Sequence, residues 1–265
     1  ADEIINFITI TVRVEGTRGS FPSFFTAFFL RFLQVRYMLF SMNNFELAAA
    51  LQKLSYSFIP VLLGIILHEV AHGYVAYKKG DPTAMMFGRI TLNPLPHIDP
   101  VGLIVFVFTA LFSPFVFGWA KPVPVNPRYF KNIRRDMMFV SVAGPMANLF
   151  LALFFALLLR VLLLFPNETL MGFGPSLDFI INMCVVGIWA NIGLMWLNLM
   201  PIPPLDGSKI LMGILPAKMA YQFEMFGRYG MLVLMLLIFT GLFSYIVMPF
   251  IRGTGFLILS IFGLN

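Results

Sequence analysis

Residues 58–77 read FIPVLLGIILHEVAHGYVAY, an apolar run interrupted only by His68, Glu69 and His72. As a helix, such a run is long enough to cross the roughly 30 Å hydrocarbon core of a bilayer. A charged side chain at the middle of a spanning helix costs about 2.5–3.5 kcal/mol on insertion scales, so three polar groups in five residues need compensation. The spacing suggests one: residues four apart lie about 40° apart around a helix axis, so the two imidazoles point the same way and can ligate one metal ion. Glu69 sits about 100° from His68, at the border of that face, where a carboxylate could take a proton from an activated water. It is a general-base candidate.

Composition agrees with a membrane setting. The 265 residues are 59% hydrophobic and 11% charged, with a mean hydropathy of +0.88. That is too little charge to cover a water-soluble globule. The net charge of +6 comes from Lys and Arg beside apolar segments, which fits the positive-inside rule and argues against nucleic-acid binding. Cys184 is the only cysteine, so no internal disulfide forms and any metal must rely on His and carboxylates. The sequon at Asn167 is too short a pattern to imply glycosylation.

Apolar runs near spanning length occupy about 57–79, 137–165, 178–200 and 229–250, with a shorter one at 101–118. These predict an all-α polytopic bundle of about four to six membrane segments. Lys78 and Lys79 end the first run and Arg134 and Arg135 precede the second, whereas 166–177 holds neither Lys nor Arg. The His68 helix should therefore end in the cytoplasm and the 137–165 helix start there. Lys121, Arg128 and Lys131 also follow the 101–118 run, so that segment is expected to dip into the membrane and return, with irregular or short β loops beside it. Residues 1–41 alternate like a strand and then become Phe-rich around Arg31 and Arg36. They read as an appendage to a single 42–265 membrane domain, or else as a further spanning helix.

Catalytic zinc usually takes three protein ligands, and the two histidines are one short. Asp206 is the best remaining candidate, in Asn198-Leu199-Met200-Pro201-Ile202-Pro203-Pro204-Leu205-Asp206-Gly207. Its prolines end the 178–200 helix near the depth of His72. The same stretch also reads as an ordinary surface turn. Asn148 follows the small residues Ala143, Gly144 and Ala147; it reads either as a polar bond between close-packed helices or as an amide donor to substrate. His97 reads as an interfacial loop residue and Asp81 as a polar helix end.

Taken together, HEVAH at 68–72, GPMAN at 144–148 and the 198–207 segment resemble the site-2 protease family of intramembrane zinc metalloproteases. GRITLNP at 88–94 and FGWAKPVPVNP at 117–127 resemble its compact bacterial branch, and the chain has room for neither a PDZ nor a CBS domain. The resemblance covers roughly 57–250. It implies one catalytic zinc ion held by His68, His72 and Asp206, with Glu69 activating water and Asn148 positioning substrate or stabilising the oxyanion. It also implies regulated intramembrane proteolysis of a transmembrane protein substrate within the lipid bilayer, in a bacterial inner membrane with the site toward the cytoplasm. The rival classes are a zinc or divalent-metal transporter, which would more often repeat ligands along a path, and a non-catalytic membrane binder.

Overall fold

The computed structural model describes residues 44–112, 119–165 and 174–264. The expectations for residues 1–41 and for the sequon at Asn167 lie outside the described residues, as does most of the 166–177 loop.

The chain is an all-α polytopic membrane protein. Its principal helices are α1 (Asn44–Lys78), the single turn α2 (Thr83–Met86), α3 (Pro100–Phe112), α4 (Ile133–Leu162), α5 (Pro175–Leu199), α6 (Asp206–Ile214), α7 (Ala217–Phe226), α8 (Gly230–Phe239) and α9 (Leu242–Ile261). Among the described residues, four segments are long and apolar enough to cross a membrane: Ala48–Lys78, Ile133–Leu162, Ser176–Leu199 and Leu242–Ile261. Among the described residues the only backbone pairing outside helices and turns is an isolated antiparallel bridge between Ile98 and Ala120.

The 229–250 expectation needs correction. That run is two helices, broken where Gly241 adopts φ 75°. The second, α9, continues to Ile261. It thereby takes in the apolar stretch after Gly253, beyond the 229–250 run.

Helix spacing explains the core. Leu151, Ala152, Phe155, Ala156 and Leu159 form one stripe of α4, and Cys184, Ile188 and Ile192 recur every four residues on α5; with Ile258 of α9 they make a buried cluster. Periods of three and four place such residues on one face.

The polar end is locked by specific contacts. Gly80, at φ 104°, closes α1: its N–H donates to Tyr77 O and the Asp81 N–H to Ala76 O, the paired bonds of a Schellman motif, which a β-carbon at that φ would oppose. Asp81 is fully buried and does more than end a helix. Its Oδ1 accepts from Thr83 N at 2.9 Å and its Oδ2 from Asn126 N at 2.7 Å. At the start of α4 the Asn132 side chain accepts from Arg135 N, and Asp136 Oδ2 accepts from Asn132 N. Lys79 Nζ then lies 3.2 Å from Asp136 Oδ1, so α1 ends where α4 begins.

The segment between them starts and finishes at one place. Ile98 pairs with Ala120, and Lys121 N donates to His97 O at 2.8 Å. Because these described flanks of α3 meet, they fit an out-and-back path rather than a crossing. This agrees with a re-entrant segment. In a Cys184→Ala background, Ile98→Cys and Ala120→Cys are expected to cross-link under mild oxidation, read as a mobility shift reversed by reductant. Efficient labelling of those two positions from opposite faces of sealed vesicles would refute the out-and-back path.

Candidate active site

The site forms where α1, α4 and α6 meet. His68 and His72 lie one turn apart on α1, buried, their rings 4.5 Å apart between centroids and nearly perpendicular. His72 is six residues before Lys78, about 9 Å from that end of the helix at 1.5 Å per residue.

Asp206 arrives from the other side. After α5 ends at Leu199 the chain turns through Pro201–Pro204, with Ile202 N donating to Met200 O and Leu205 N to Ile202 O. Asp206 is not in irregular backbone but is the first residue of α6. Gly207 lets the turn close: a β-carbon there would lie 2.2 Å from Leu199 O. The helix then runs back along α4, where the Arg134 guanidinium donates to Met212 O and Leu215 O.

Three acceptor atoms converge. Asp206 Oδ2 lies 3.1 Å from His68 Nε2 and 3.0 Å from His72 Nε2, and the two nitrogens are 3.0 Å apart. The other ring nitrogens are already committed, His68 Nδ1 to Asn148 Oδ1 and His72 Nδ1 to Val140 O, both at 2.7 Å. Those partners only accept, so both Nδ1 atoms carry hydrogen and a neutral ring presents a bare Nε2. Two bare nitrogens and a carboxylate oxygen at such distances repel unless a cation lies among them. A single proton bridges one pair, whereas a metal ion serves all three. Two histidines and a carboxylate form a known catalytic zinc set, and ligands about 2.0 Å from a tetrahedral ion would be separated by roughly 3.3 Å. The observed triangle therefore fits zinc. Asp206 is buried beside the two imidazoles. Lys209 Nζ, 3.5 Å away, takes its other oxygen.

Gly144 makes the triangle possible. A β-carbon there would fall 2.5 Å from His72 Nε2 and 2.6 Å from His68 Cε1. The GPMAN stretch thus clears space with its glycine and grips a ring with its asparagine.

Glu69 and the triad line one cavity of about 330 Å³, together with Val123, Ser141, Asn198 and Lys209. Glu69 Oε2 accepts from Val123 N at 2.7 Å. Asn148 does not line this cavity. Fully buried, it spends Oδ1 on His68 and both N–H groups on Gly64 O and Asn191 Oδ1. No donor remains for an oxyanion. His97 lies outside the triad and is buried within the protein, its Nε2 donating to Thr91 O at 3.0 Å. Two contributors escaped the sequence reading. Asn191 gives only the signal of a polar residue on an apolar helix. Ser141 lies one turn before Gly144 and Pro145, and its hydroxyl is buried with no hydrogen-bond partner among the described residues.

Relatives agree with this geometry. The chain is 38% identical over 212 residues to "Putative zinc metalloprotease YwhC" of Bacillus subtilis (strain 168), covering 80% of this chain and 93% of that protein. The chain belongs to this zinc metalloprotease family. It is also 30% identical over 182 residues to "Putative zinc metalloprotease Rip2" of Mycolicibacterium smegmatis, covering 68% of this chain and 64% of that one. Against Rip2 of Mycobacterium tuberculosis it is 32% identical over 154 residues, covering 57% of this chain and 53% of that one. No protein-family model and no solved structure matches it.

For this member of the family, Gly144→Ala is expected to lower zinc affinity at least about tenfold in chelator competition while leaving the helical circular-dichroism signal intact. Unchanged affinity would contradict the close packing of Gly144 on the imidazoles.

Proposed function

We propose that the chain is a zinc endopeptidase of the site-2 type, hydrolysing a peptide bond in or beside a transmembrane segment of a client membrane protein. It would work from the cytoplasmic side of a bacterial inner membrane. One observation carries the reading: His68, His72, Asp206 and Glu69 share a single cavity about 9 Å inside the polar end of the spanning helices. Membership of the YwhC family supports the protease class.

Zinc held by His68, His72 and Asp206 would supply a Lewis acid and lower the pKa of a coordinated water. Glu69 accepts the proton of the attacking water. Its Oε2 stays bound to Val123 N, which leaves Oε1 for that transfer. As the C–O bond forms and the C–N bond breaks, Glu69 returns the proton to the leaving amine. Charge developing on the scissile carbonyl oxygen needs a donor, and the Ser141, Asn198 and Lys209 side chains that line the cavity are of the donor type. Asn148 takes no part in that step and acts behind His68 instead. The client segment must unwind to react, since a helical peptide group is already hydrogen-bonded and shielded.

The lysine-rich end of α1 and the arginines opening α4 support the cytoplasmic orientation. A transporter would carry ligands along its path. The described residues hold one such cluster, which favours the protease.

Glu69→Gln is expected to keep one zinc per chain by elemental analysis while cleavage falls at least about a hundredfold. Cleavage would be read as new peptide termini in membrane proteomes of cells expressing wild type or variant. Wild-type cleavage by Glu69→Gln would remove Glu69 from the mechanism. Zinc uptake into vesicles that depends on His68, with no cleavage, would replace the protease by a transporter.

A further inference from the structure

Asn191 on α5 touches neither the cavity nor a ligand atom, yet a directed line of hydrogen bonds joins it to His68. Its Nδ2 donates to Gly187 O at 2.8 Å. Its Oδ1 accepts at 3.0 Å from Asn148 Nδ2, which also donates at 3.0 Å to Gly64 O. Asn148 Oδ1 then accepts from His68 Nδ1 at 2.7 Å. Both asparagines are fully buried.

The direction is forced by the ends of the line. Backbone carbonyls only accept, so Gly187 O and Gly64 O each require an amide nitrogen facing them. That turns Asn191 Oδ1 toward Asn148 and Asn148 Oδ1 toward His68. A carbonyl oxygen facing His68 requires hydrogen on Nδ1, and a neutral ring with that hydrogen has a bare Nε2. Gly64 provides the space: a β-carbon there would meet Asn191 Oδ1 at 2.5 Å. An asparagine that only bridges helices needs any polar partner. This pair has a fixed polarity that terminates on a ligand.

We propose that Asn191 is a positioning residue of the metal site, acting through Asn148 to hold His68 with its proton on Nδ1 and Nε2 turned toward Asp206 and His72. This rests on the metal site proposed above. Outer partners of ligating histidines fix tautomer and orientation, and their loss commonly weakens metal binding 10- to 100-fold.

Asn191→Leu keeps the volume but removes the acceptor. Asn191→Asp, protonated at this depth, keeps an oxygen for Asn148 and an O–H for Gly187 O. In full-length protein in nanodiscs, zinc affinity measured by chelator competition is expected to fall about tenfold or more in Asn191→Leu and to recover in Asn191→Asp. Thermal unfolding of the metal-free proteins should change little between them. Wild-type zinc affinity in Asn191→Leu, or a loss equal in both variants, would overturn the proposal. Nitrogen chemical shifts of His68 in the metal-free wild type give a reading that needs no Asn191 variant. Hydrogen on Nδ1 is expected there, and hydrogen on Nε2 would overturn the proposal. His68→Ala separates the two levels: if it binds zinc like wild type, the metal site itself is wrong. If it loses zinc while Asn191→Leu does not, only the role of Asn191 fails.

Discussion

Three acceptor atoms held about 3 Å apart inside an apolar bundle are the constraint on which the surrounding structure depends. In water such a group would disperse. In a low-dielectric interior its mutual repulsion is large and every nearby polar group needs a partner. The neighbouring residues answer that need one by one. Val140 O and Asn148 Oδ1 accept from the two Nδ1–H groups, and Lys209 takes the second oxygen of Asp206. Gly144 yields the volume the rings occupy. The result is a site preorganised for a cation, with the far side of each of the three groups already engaged and the converging lone pairs left free.

The topology delivers these groups to a common depth through a few rigid joints. The Schellman closure at Gly80 stops α1 shortly after His72, and the Lys79–Asp136 pair sets the start of α4 beside that stop. Asp206 comes from a chain that has crossed again as α5, turned through its prolines and run back along α4 as α6. A longer turn, or a β-carbon at Gly207, would move the carboxylate away from the imidazoles. The prolines thus act by ending one helix so that another can start at the right height.

Much of this was legible in the sequence, because HEVAH has a helical period and hydropathy sets the length of a span. The four spanning helices followed, although the last was displaced: mean hydropathy does not register a single glycine at positive φ, so α8 and α9 read as one run. Asp206 was legible from residue type and order. The use of Asn148 was not, since period places an amide on a face without naming its partner across the helix pair. Asn191 and Ser141 were harder still. Each is a polar residue in an apolar stretch of helix, and its meaning comes from contacts made across the helix pair, or from their absence.

Glu69 shows how one short helix segment separates two tasks. At about 100° from His68 around α1, it lies at the edge of the imidazole face and bonds to the returning limb of the re-entrant segment through Val123 N. That limb, 120–126, offers few backbone donors, because Pro122 and Pro124 have none. Those at Lys121, Val123 and Asn126 go to His97 O, Glu69 and Asp81. Glu69 is therefore the middle of three ties that fasten the cavity wall to the α1 side, and the wall in turn fixes one oxygen of the carboxylate. In the proposed reaction, ligand geometry is held from α4 while base geometry is held from the re-entrant limb. A displacement of that limb would then move the base and leave the metal ligands in place.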